Sequence, residues 1–289
     1  MILVDYSGIA IASLFAGGGS SPKKLDEGLI RHLILNTLRS YNVKFRAEYG
    51  QMVLVCDSGD TWRKAYFPQY KASRSTSRKK STVDWTEFYR ILNLVRDEIE
   101  GNIPFKVVRV ANCEADDIIA VLAESTQEFG RGENVMIVSS DCDFLQLQRH
   151  GNVRQFSPAK GKLLVSKDPI REIREKILRG DTGDGIPNVL SGDDVFITQG
   201  ARQTPLLASK VDGWLNNYEG LCESMPADVY RNFIRNQNLI HFSQIPMEIQ
   251  SKIMDKSNQV VPASKRLTLD YLISKRCSML ISCVSEFFN

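Results

Sequence analysis

The segment Val135–Asp143 reads VMIVSSDCD, an apolar run that leads through two serines into two aspartates. The same order recurs in Ile2–Asp5 (ILVD) and in Met52–Asp57 (MVLVCD). Short apolar runs that are rich in β-branched residues and bounded by turn residues are typical of buried strands in a parallel sheet. The carboxyl ends of parallel strands meet at one edge of the sheet, where the functional crevice of such folds lies. The sequence therefore predicts that these strands deliver their aspartates to a single site.

Helical patterns lie between these runs, for example at Leu29–Tyr41 and Trp85–Ile99. An alternation of strand and helix predicts an α/β fold, a parallel sheet with helices on both faces. After Gly185 the strand-like runs disappear and helical patterns dominate. We therefore expect an α/β core over residues 1–185 and a smaller, mostly helical region over residues 186–289. The helical patterns of that second region are Ala208–Tyr218, Ala227–Asn236, Pro246–Lys256 and Leu267–Val284.

The composition indicates a globular intracellular protein. With 289 residues, 43% of them hydrophobic, the chain can bury a sizeable core. It begins MILVD, without the features of a secretory signal, and no apolar stretch approaches the roughly 20 residues that span a membrane. We expect a soluble cytoplasmic protein without membrane association. Six scattered cysteines with no C-x-x-C pair favour reduced core thiols over a zinc site or a disulfide framework.

Further acidic residues occur in two clusters. The stretch EADD (114–117) precedes the helical pattern IIAVLA. Helix capping and the helix dipole are the ordinary explanation for one acid in a first turn, but three crowded acids repel one another unless a cation neutralises them. The glycine-rich turn GDTGDGIP (180–187) adds two aspartates, for which a plain surface loop is the alternative explanation.

These acids together predict a metal site. All-oxygen ligands favour Mg²⁺ or Mn²⁺ over zinc. So many carboxylates suit two ions about 3.5–4 Å apart, the arrangement that serves phosphodiester hydrolysis. The three histidines do not fall beside the acidic clusters, and no serine or cysteine is paired with a base, which argues against covalent catalysis. The predicted metal ligands are Asp5, Asp57, Glu114, Asp116, Asp117, Asp141, Asp143, Asp181 and Asp184.

Residues 61–83, which we call the basic arch, carry seven basic side chains and no acid, although the net formal charge of the chain is only +3. Aromatic residues between basic ones are typical of surfaces that stack on bases and contact phosphates of single strands. A solvated charged face or a disordered tail is the alternative explanation. The basic residues are Arg63, Lys64, Lys71, Arg74, Arg78, Lys79 and Lys80, and the aromatic ones are Trp62, Tyr66, Phe67 and Tyr70.

Six of these stretches, taken in order, resemble the 5′ nuclease (flap endonuclease) superfamily, and within it most closely the ribonuclease H group of T-even bacteriophages. They are Val4–Ser7, Cys56–Gly59, Phe67–Arg74, Glu114–Asp117, Ser139–Asp143 and Gly180–Asp184. Any one of them is a weak signal, but six in the family's order and approximate spacing are specific. The resemblance implies a PIN-type parallel-sheet nuclease core, a helical arch over the site and a helical DNA-binding region.

The resemblance also implies roles for individual residues. Asp5, Asp57, Asp116 and Asp141 would bind a first metal ion. Asp143, Asp181 and Asp184 would bind a second ion, mainly through water, and Glu114 and Asp117 would be ligands or close neighbours of ligands. Lys71 and Arg74 would reach the scissile phosphate and, with Asp116, form the catalytic set. Tyr70 would stack on a base near the cut.

The implied function is that of a magnesium-dependent 5′–3′ exonuclease and flap endonuclease with ribonuclease H activity, which removes RNA primers and flaps during phage lagging-strand replication. Implied substrates are forked or flapped DNA and RNA–DNA hybrids. Candidate partners of the monomer are a single-strand DNA-binding protein and a sliding clamp. Two alternatives are a PIN-type ribonuclease that acts on RNA alone and a non-catalytic module that binds branched DNA. The long basic arch argues against the first, and the complete set of nine acids argues against the second.

One region departs from the family pattern. Many relatives follow the last aspartates with a glycine-rich helix–hairpin–helix that grips duplex DNA and a monovalent cation, but Val189–Thr198 lacks its glycine turn and its lysine. The T-even group departs in much the same way, and the departure puts a K⁺ site in doubt. We expect duplex contacts from Arg202 and Lys210 instead. For the helix expected over Leu267–Phe288, core packing is favoured over a surface for the single-strand-binding protein.

Overall fold

The computed structural model describes residues 1–15, 25–72, 83–259 and 262–288. Its centre is a six-stranded sheet in the order β3-β2-β1-β4-β5-β6, parallel except for the antiparallel edge strand β6. The strands are β1 Ile2–Asp5, β2 Met52–Cys56, β3 Lys106–Arg109, β4 Val135–Val138, β5 Val153–Ser157 and β6 Lys162–Leu164. The predicted strands are confirmed, and so is the α/β class.

The helices follow the strands in alternation through the first part of the chain. They are α1 Tyr6–Phe15, α2 Glu27–Tyr49, α3 Trp62–Tyr66, α4 Trp85–Asn102, α5 Ala115–Ser125 and α6 Pro169–Arg179. The later part of the chain contributes α7 Ala208–Asn216, α8 Leu221–Ser224, α9 Ala227–Ile240, α10 Met247–Gln259, α11 Lys265–Ser274 and α12 Ser278–Ile281. Short 3₁₀ helices connect them, the longest at Cys142–Arg149. None of the described helices is long and apolar enough to span a membrane.

Helices cover both faces of the sheet, because successive residues of a strand point to opposite sides. Val4 of β1 lies in a core layer with residues of α2 and α4, whereas its neighbour Leu3 lies in a second layer with residues of α5 and α10. Burial on both faces explains why these strands read as continuous apolar runs. A third cluster joins α6 to α7 and α9 through residues such as Ile177, Trp214 and Phe233.

The end of the chain packs on the first core layer rather than on the third cluster. Leu272 and Phe287 are fully buried there, and the Phe287 ring lies 6.0 Å from that of Phe105. The Tyr271 hydroxyl donates to Glu98 of α4 over 2.8 Å. The structure therefore confirms core packing, the explanation favoured for the segment Leu267–Phe288. The single helix expected here is wrong: α11 ends at Ser274, and Arg276 follows with a φ of 55°, a left-handed conformation that a helix cannot contain.

Candidate active site

Asp5 ends the central strand β1 and marks the centre of the site. Its carboxylate accepts hydrogen bonds from the Gly8 amide at 2.9 Å and the Ser139 hydroxyl at 3.1 Å. A Cβ atom at Gly8 would lie 2.5 Å from Asp5 Oδ2, so the close approach requires glycine. Burial, reinforced by nearby Asp57 and Asp141, raises the pKa of Asp5 to about 6. Asp5 is thus a desolvated carboxyl group beside other acids, which favours a cation as its neighbour.

Asp57 follows β2, the strand beside β1, and two donors fix its orientation. The Ser7 hydroxyl donates to one oxygen at 2.9 Å, and the Ala115 amide, the first of helix α5, donates to the other at 2.9 Å. Free amides at a helix start bear a partial positive charge that favours a carboxylate. Asp57 therefore ties the end of β2 to the acidic start of α5.

Asp116 lies in the first turn of α5 and has no donor among the described residues: it accepts no hydrogen bond and forms no ion pair with them. Its pKa is raised well above the ordinary value, first by burial and then by Asp141, Glu114 and Asp5, although Lys71 acts in the opposite direction. A desolvated carboxylate that faces other carboxylates is costly unless it is protonated or bound to a cation. Asp116 is the residue of this site that fits a metal ion best.

Glu114 instead accepts hydrogen bonds from three residues of the basic arch, Arg63, Tyr70 and Lys71, which form what we call the arch base. One of its oxygens accepts from the Lys71 ammonium at 2.5 Å, and the other accepts from Arg63 and the Tyr70 hydroxyl, each at 3.0 Å. Burial acts to raise the pKa of Glu114, but Lys71 and Arg63 hold it below the ordinary value. The carboxylate is therefore charged and already neutralised by protein groups.

Asp117 and Arg63 form a buried ion pair, so Asp117 is placed as a close neighbour of the predicted ligands, one of the two roles predicted for it. The Asp117 side chain is 0% exposed and lies 2.7 Å from the Arg63 guanidinium. It also accepts from the Glu114 amide at 3.1 Å, which fixes the start of α5. Arg63 is 3% exposed and Asp117 is 0% exposed, so neither presents its side chain to the protein surface. Both residues position the acidic turn instead.

A second group of carboxylates surrounds Lys176 at the end of α6. Its ammonium contacts Asp143 and lies 2.7 Å from Asp181. Burial, opposed by Lys176, raises the pKa of Asp143 to about 6. Asp184, on the same turn as Asp181, accepts from the Tyr70 hydroxyl at 3.0 Å and lies 3.5 Å from the Lys71 ammonium. Sequence reasoning missed Lys176, although its place one helical turn before the GD motif was a signal.

Two adjoining cavities collect these side chains. The larger, of about 540 Å³, is lined by Asp5, Asp57, Glu114, Asp116 and Asp141 together with Lys64, Lys71 and Tyr89. The smaller, of about 10 Å³, is lined by Asp116, Asp143, Asp181 and Asp184 together with Arg63, Tyr70 and four apolar side chains. The predicted acids thus converge, except for the enclosed Asp117, with Asp116 shared by both cavities. Within the described ranges, no three His, Cys, Asp or Glu side chains form a ready-made metal cage. Lys71 and Lys176 supply the neutralising charge in this arrangement.

The predicted nucleic-acid residues divide into three groups. Arg74, Arg78, Lys79 and Lys80 lie outside the described residues. Lys64, Arg202 and Lys210 are exposed, and the Lys210 ammonium lies 5.0 Å from the centre of the Trp214 ring. Tyr70 is 3% exposed, and its hydroxyl is bound to two carboxylates, so the stacking role predicted for it does not fit this arrangement. Of the arch, the structure shows the short helix α3 and the turns up to residue 72.

Gly180 sets the turn that carries Asp181 and Asp184, and we predict that Gly180→Ala costs about 3 kcal/mol of unfolding free energy. The glycine has φ 72° and ψ −172°, a conformation that is essentially restricted to glycine, and an added Cβ would lie 2.4 Å from the Ile186 carbonyl oxygen. Denaturant unfolding measures the change.

Gly101→Ala is the matched control, since Gly101 lies in α4 with open space around it and no positive φ. Alanine in a helix is expected to stabilise the control by about 0.5–1 kcal/mol. Equal effects of the two substitutions would contradict the strain assigned to Gly180.

Comparisons with known proteins identify the family to which the chain is similar. Residues 1–176 match the family model "5′-3′ exonuclease, N-terminal resolvase-like domain", and residues 168–287 match "T4 RNase H, C terminal". The chain is 31% identical to ribonuclease H of Enterobacteria phage T4 over 293 aligned residues, which cover 99% of this chain and 95% of the relative.

Solved structures show the same fold at low sequence identity. The T5 D15 protein co-crystallised with metal ions has a TM-score of 0.63 and 17% identity, over 90% of this chain and 98% of the other. A complex of the bacteriophage T5 D15 flap endonuclease with DNA and metal ions has a TM-score of 0.61 and 18% identity, over 89% and 99% of the two chains. From the family models and the full-length relative, the chain belongs to the 5′–3′ exonuclease family and is a nuclease of the phage ribonuclease H type.

Proposed function

We propose that this nuclease is a magnesium-dependent 5′–3′ exonuclease and flap endonuclease with ribonuclease H activity, which removes RNA primers and flaps during phage lagging-strand replication. The observation that carries the proposal is Asp116. It is a desolvated carboxylate without a protein donor among the described residues, at the junction of two cavities lined by acids. A binding module without catalysis has no use for such an arrangement, because the uncompensated charge only lowers stability.

The residues of each cavity fit one divalent ion. Asp5, Asp57, Asp116 and Asp141 would hold the first, and Asp143, Asp181 and Asp184 the second, with all-oxygen ligands suited to Mg²⁺ or Mn²⁺. When bound, two such ions would supply activation of the attacking water and stabilisation of the leaving oxygen. Solved neighbours that are described with bound metal ions support a metal site in this fold.

The protein's own groups would orient the reaction. Gly8, Ser7 and Ser139 donate to Asp5 and Asp57 and so fix the direction of both carboxylates. Lys71 reaches into the larger cavity from the arch base and would offset negative charge on the scissile phosphate, with Arg74 as its proposed partner. Lys64, at the mouth of the same cavity, would contact a phosphate further along the strand.

The proposed substrates are forked or flapped DNA and RNA–DNA hybrids, bound by the arch on one side and by Arg202 and Lys210 on the other. We propose that the protein acts as a monomer in the cytoplasm of a phage-infected host. A single-strand DNA-binding protein and a sliding clamp are its proposed partners. Exposed apolar side chains on the C-terminal segment, Leu267, Ile273 and Met279, support a protein contact there.

Asp5 and Asp143 are expected to release protons on Mg²⁺ binding near pH 6 and almost none at pH 8. The pKa of Asp5 and of Asp143 is about 6, so these carboxyl groups are partly protonated at pH 6 and must lose the proton to bind a cation. A raised carboxyl pKa also means that the metal-free protein loses stability as pH rises from about 4 through 6. Calorimetry in two buffers of different ionisation enthalpy measures the protons released. Equal release at pH 6 and pH 8 would exclude these two groups as ligands.

Cleavage of three labelled substrates tests the proposed function. A 5′-flap DNA, an RNA–DNA hybrid and a single-stranded RNA, each labelled at the 5′ end, are incubated with the full chain with Mg²⁺ or with EDTA. We expect Mg²⁺-dependent short products from the flap and the hybrid. Cleavage of the RNA alone would favour the PIN-type ribonuclease, and tight binding of the flap without products would favour the non-catalytic module.

A further inference from the structure

Arg235 of α9 is a buried arginine that the site described above does not use. Its side chain is 5% exposed, and its guanidinium donates to the carbonyl of Pro187 at 2.9 Å and to those of Ser191 at 3.4 Å and Asn188 at 3.5 Å. The charge is balanced by Asp193, whose carboxylate lies 2.5 Å away. One guanidinium therefore gathers several carbonyl oxygens of the turn 187–193 around itself.

Two asparagines of the same helix complete this arrangement. Asn232 donates to the carbonyls of Val189 at 3.0 Å and Ser191 at 3.2 Å. Asn236 donates to the carbonyls of Pro187 at 2.9 Å and Ile177 at 2.8 Å, and the latter belongs to α6. The carbonyls of the turn are thus bound by side chains of α9, which sets the path of the turn. Sequence reasoning did not detect this feature, because the three donors lie about 45 residues from their acceptors.

The turn held by Arg235 continues directly into the second carboxylate group. Pro187 follows Ile186, whose amide and carbonyl pair with Asp181 at 2.7 and 2.8 Å. Asp184 lies between them and accepts the Lys71 amide on its carbonyl at 2.8 Å. A displacement of the Pro187 carbonyl would therefore move the backbone on which both aspartates are mounted.

Arg235 also contacts the basic arch. Its guanidinium carbon lies 5.7 Å from the centre of the Phe67 ring, within the range of a cation–π contact. The Phe67 carbonyl accepts the Tyr70 amide at 3.0 Å, so Phe67 belongs to the same turn as Tyr70 and Lys71. One buried cation thus contacts the two segments that carry the second carboxylate pair and the cationic Lys71.

We infer that Arg235 is a positioning residue that holds Asp181 and Asp184 at a fixed position relative to Lys71. A planar guanidinium with several donors can bind a carboxylate and carbonyls on different sides at once, whereas a lysine ammonium is a compact charge with fewer directions. The structural part of the inference stands on these contacts, and its catalytic part rests on the proposed function.

Arg231 offers a matched control, because it pairs with the same aspartate but donates to none of the backbone carbonyls that Arg235 binds. Its side chain is 57% exposed, and it lies 2.7 Å from Asp193. The experiment compares the full-length variants Arg235→Ala, Arg235→Lys and Arg231→Ala with the unmodified chain. Backbone hydrogen exchange is measured without metal, followed by kcat and KM on flap DNA with Mg²⁺.

We expect both Arg235 variants to raise amide exchange in residues 181–191 at least about tenfold, with β4 unchanged, and Arg231→Ala to leave that turn unchanged. In the same variants, kcat should fall about tenfold or more while KM changes less than about threefold. Added guanidinium ion should restore part of the protection and of kcat in Arg235→Ala, because the deletion leaves room for it.

Three results would overturn the inference. Unchanged exchange in the turn, or an equal increase in Arg231→Ala, would show that Arg235 does not hold it. Raised exchange with unchanged kcat would remove the catalytic part. If Arg235→Ala does not fold, Arg235→Lys, which keeps the charge, decides between the same outcomes. If the unmodified chain fails to cleave DNA, the proposed function falls, but the exchange comparison still decides the structural part.

Discussion

Asp116→Asn is expected to lower kcat on a 5′-flap DNA by at least about 10³-fold, while the dissociation constant for the DNA changes less than about threefold. Asp116 is the one predicted ligand that lines both cavities. Among the described residues, none donates a hydrogen bond to its carboxylate. Asparagine has almost the same shape but no charge, so the substitution removes attraction for a cation and little else. Single-turnover cleavage and fluorescence anisotropy measure the two quantities.

The same variant has a second expected effect, on stability. The raised pKa of Asp116 means that its charged form is disfavoured in the folded protein, so its removal should stabilise the metal-free protein at pH 7.5. Mg²⁺ should then stabilise the variant less than the unmodified chain. Asp60→Asn is the matched control, because Asp60 lines the larger cavity but is not a predicted ligand. If Asp116→Asn cleaves as fast as this control does, the assignment of metal catalysis to this site is wrong.

Lys71→Ala is expected to lower kcat about 10²-fold and to raise KM less than about threefold. The Lys71 ammonium lies between Glu114 and Asp184, at 2.5 and 3.5 Å, and so stands between the two carboxylate groups. In the presence of substrate the scissile phosphate competes with these carboxylates for the ammonium. The interaction therefore grows as negative charge develops on the phosphate, which affects turnover more than binding.

Lys64→Ala is the comparison for this prediction. Lys64 lines the same cavity but is exposed on α3, so it is expected to contact phosphate equally in the ground state and in the transition state. Its removal should raise KM about three- to tenfold and leave kcat within about twofold. Steady-state kinetics on one flap substrate at several salt concentrations separate the two lysines. Equal losses of kcat and of affinity in Lys71→Ala would place Lys71 in binding only.

The sequence predicted the sheet and the site because both follow from local patterns. Apolar runs that end in aspartate, as at Asp5 and Asp57, require only that parallel strands share an edge, and the structure has that edge. For Asp117 the sequence left two roles open, ligand or close neighbour of ligands, because whether an acid in a first turn faces a cavity or the protein depends on its partner. That partner, Arg63, lies more than fifty residues away in the chain.

The basic residues were harder to interpret for the same reason. Arg63 was expected to bind nucleic acid because it lies in a basic stretch, and no local pattern indicates that its guanidinium turns inward. Lys176 and Arg235 were missed because each lies in an ordinary amphipathic helix, where a basic residue is usually exposed. Their partners, Asp143 and Pro187, become neighbours only in the folded chain. Sequence pattern therefore locates strand ends better than it assigns partners to buried cations.

The packing of the C-terminal segment bears on the timing of folding during synthesis. Strand β1 and helix α2 leave the ribosome early, but the layer that they form with α4 also contains Leu272, Leu280 and Phe287. A nascent chain that has reached only residue 260 therefore presents an open apolar face where those side chains will dock. We expect a chain that ends at residue 260 to be less stable than the full chain, because the first core layer then lacks the apolar contacts of Leu272, Leu280 and Phe287.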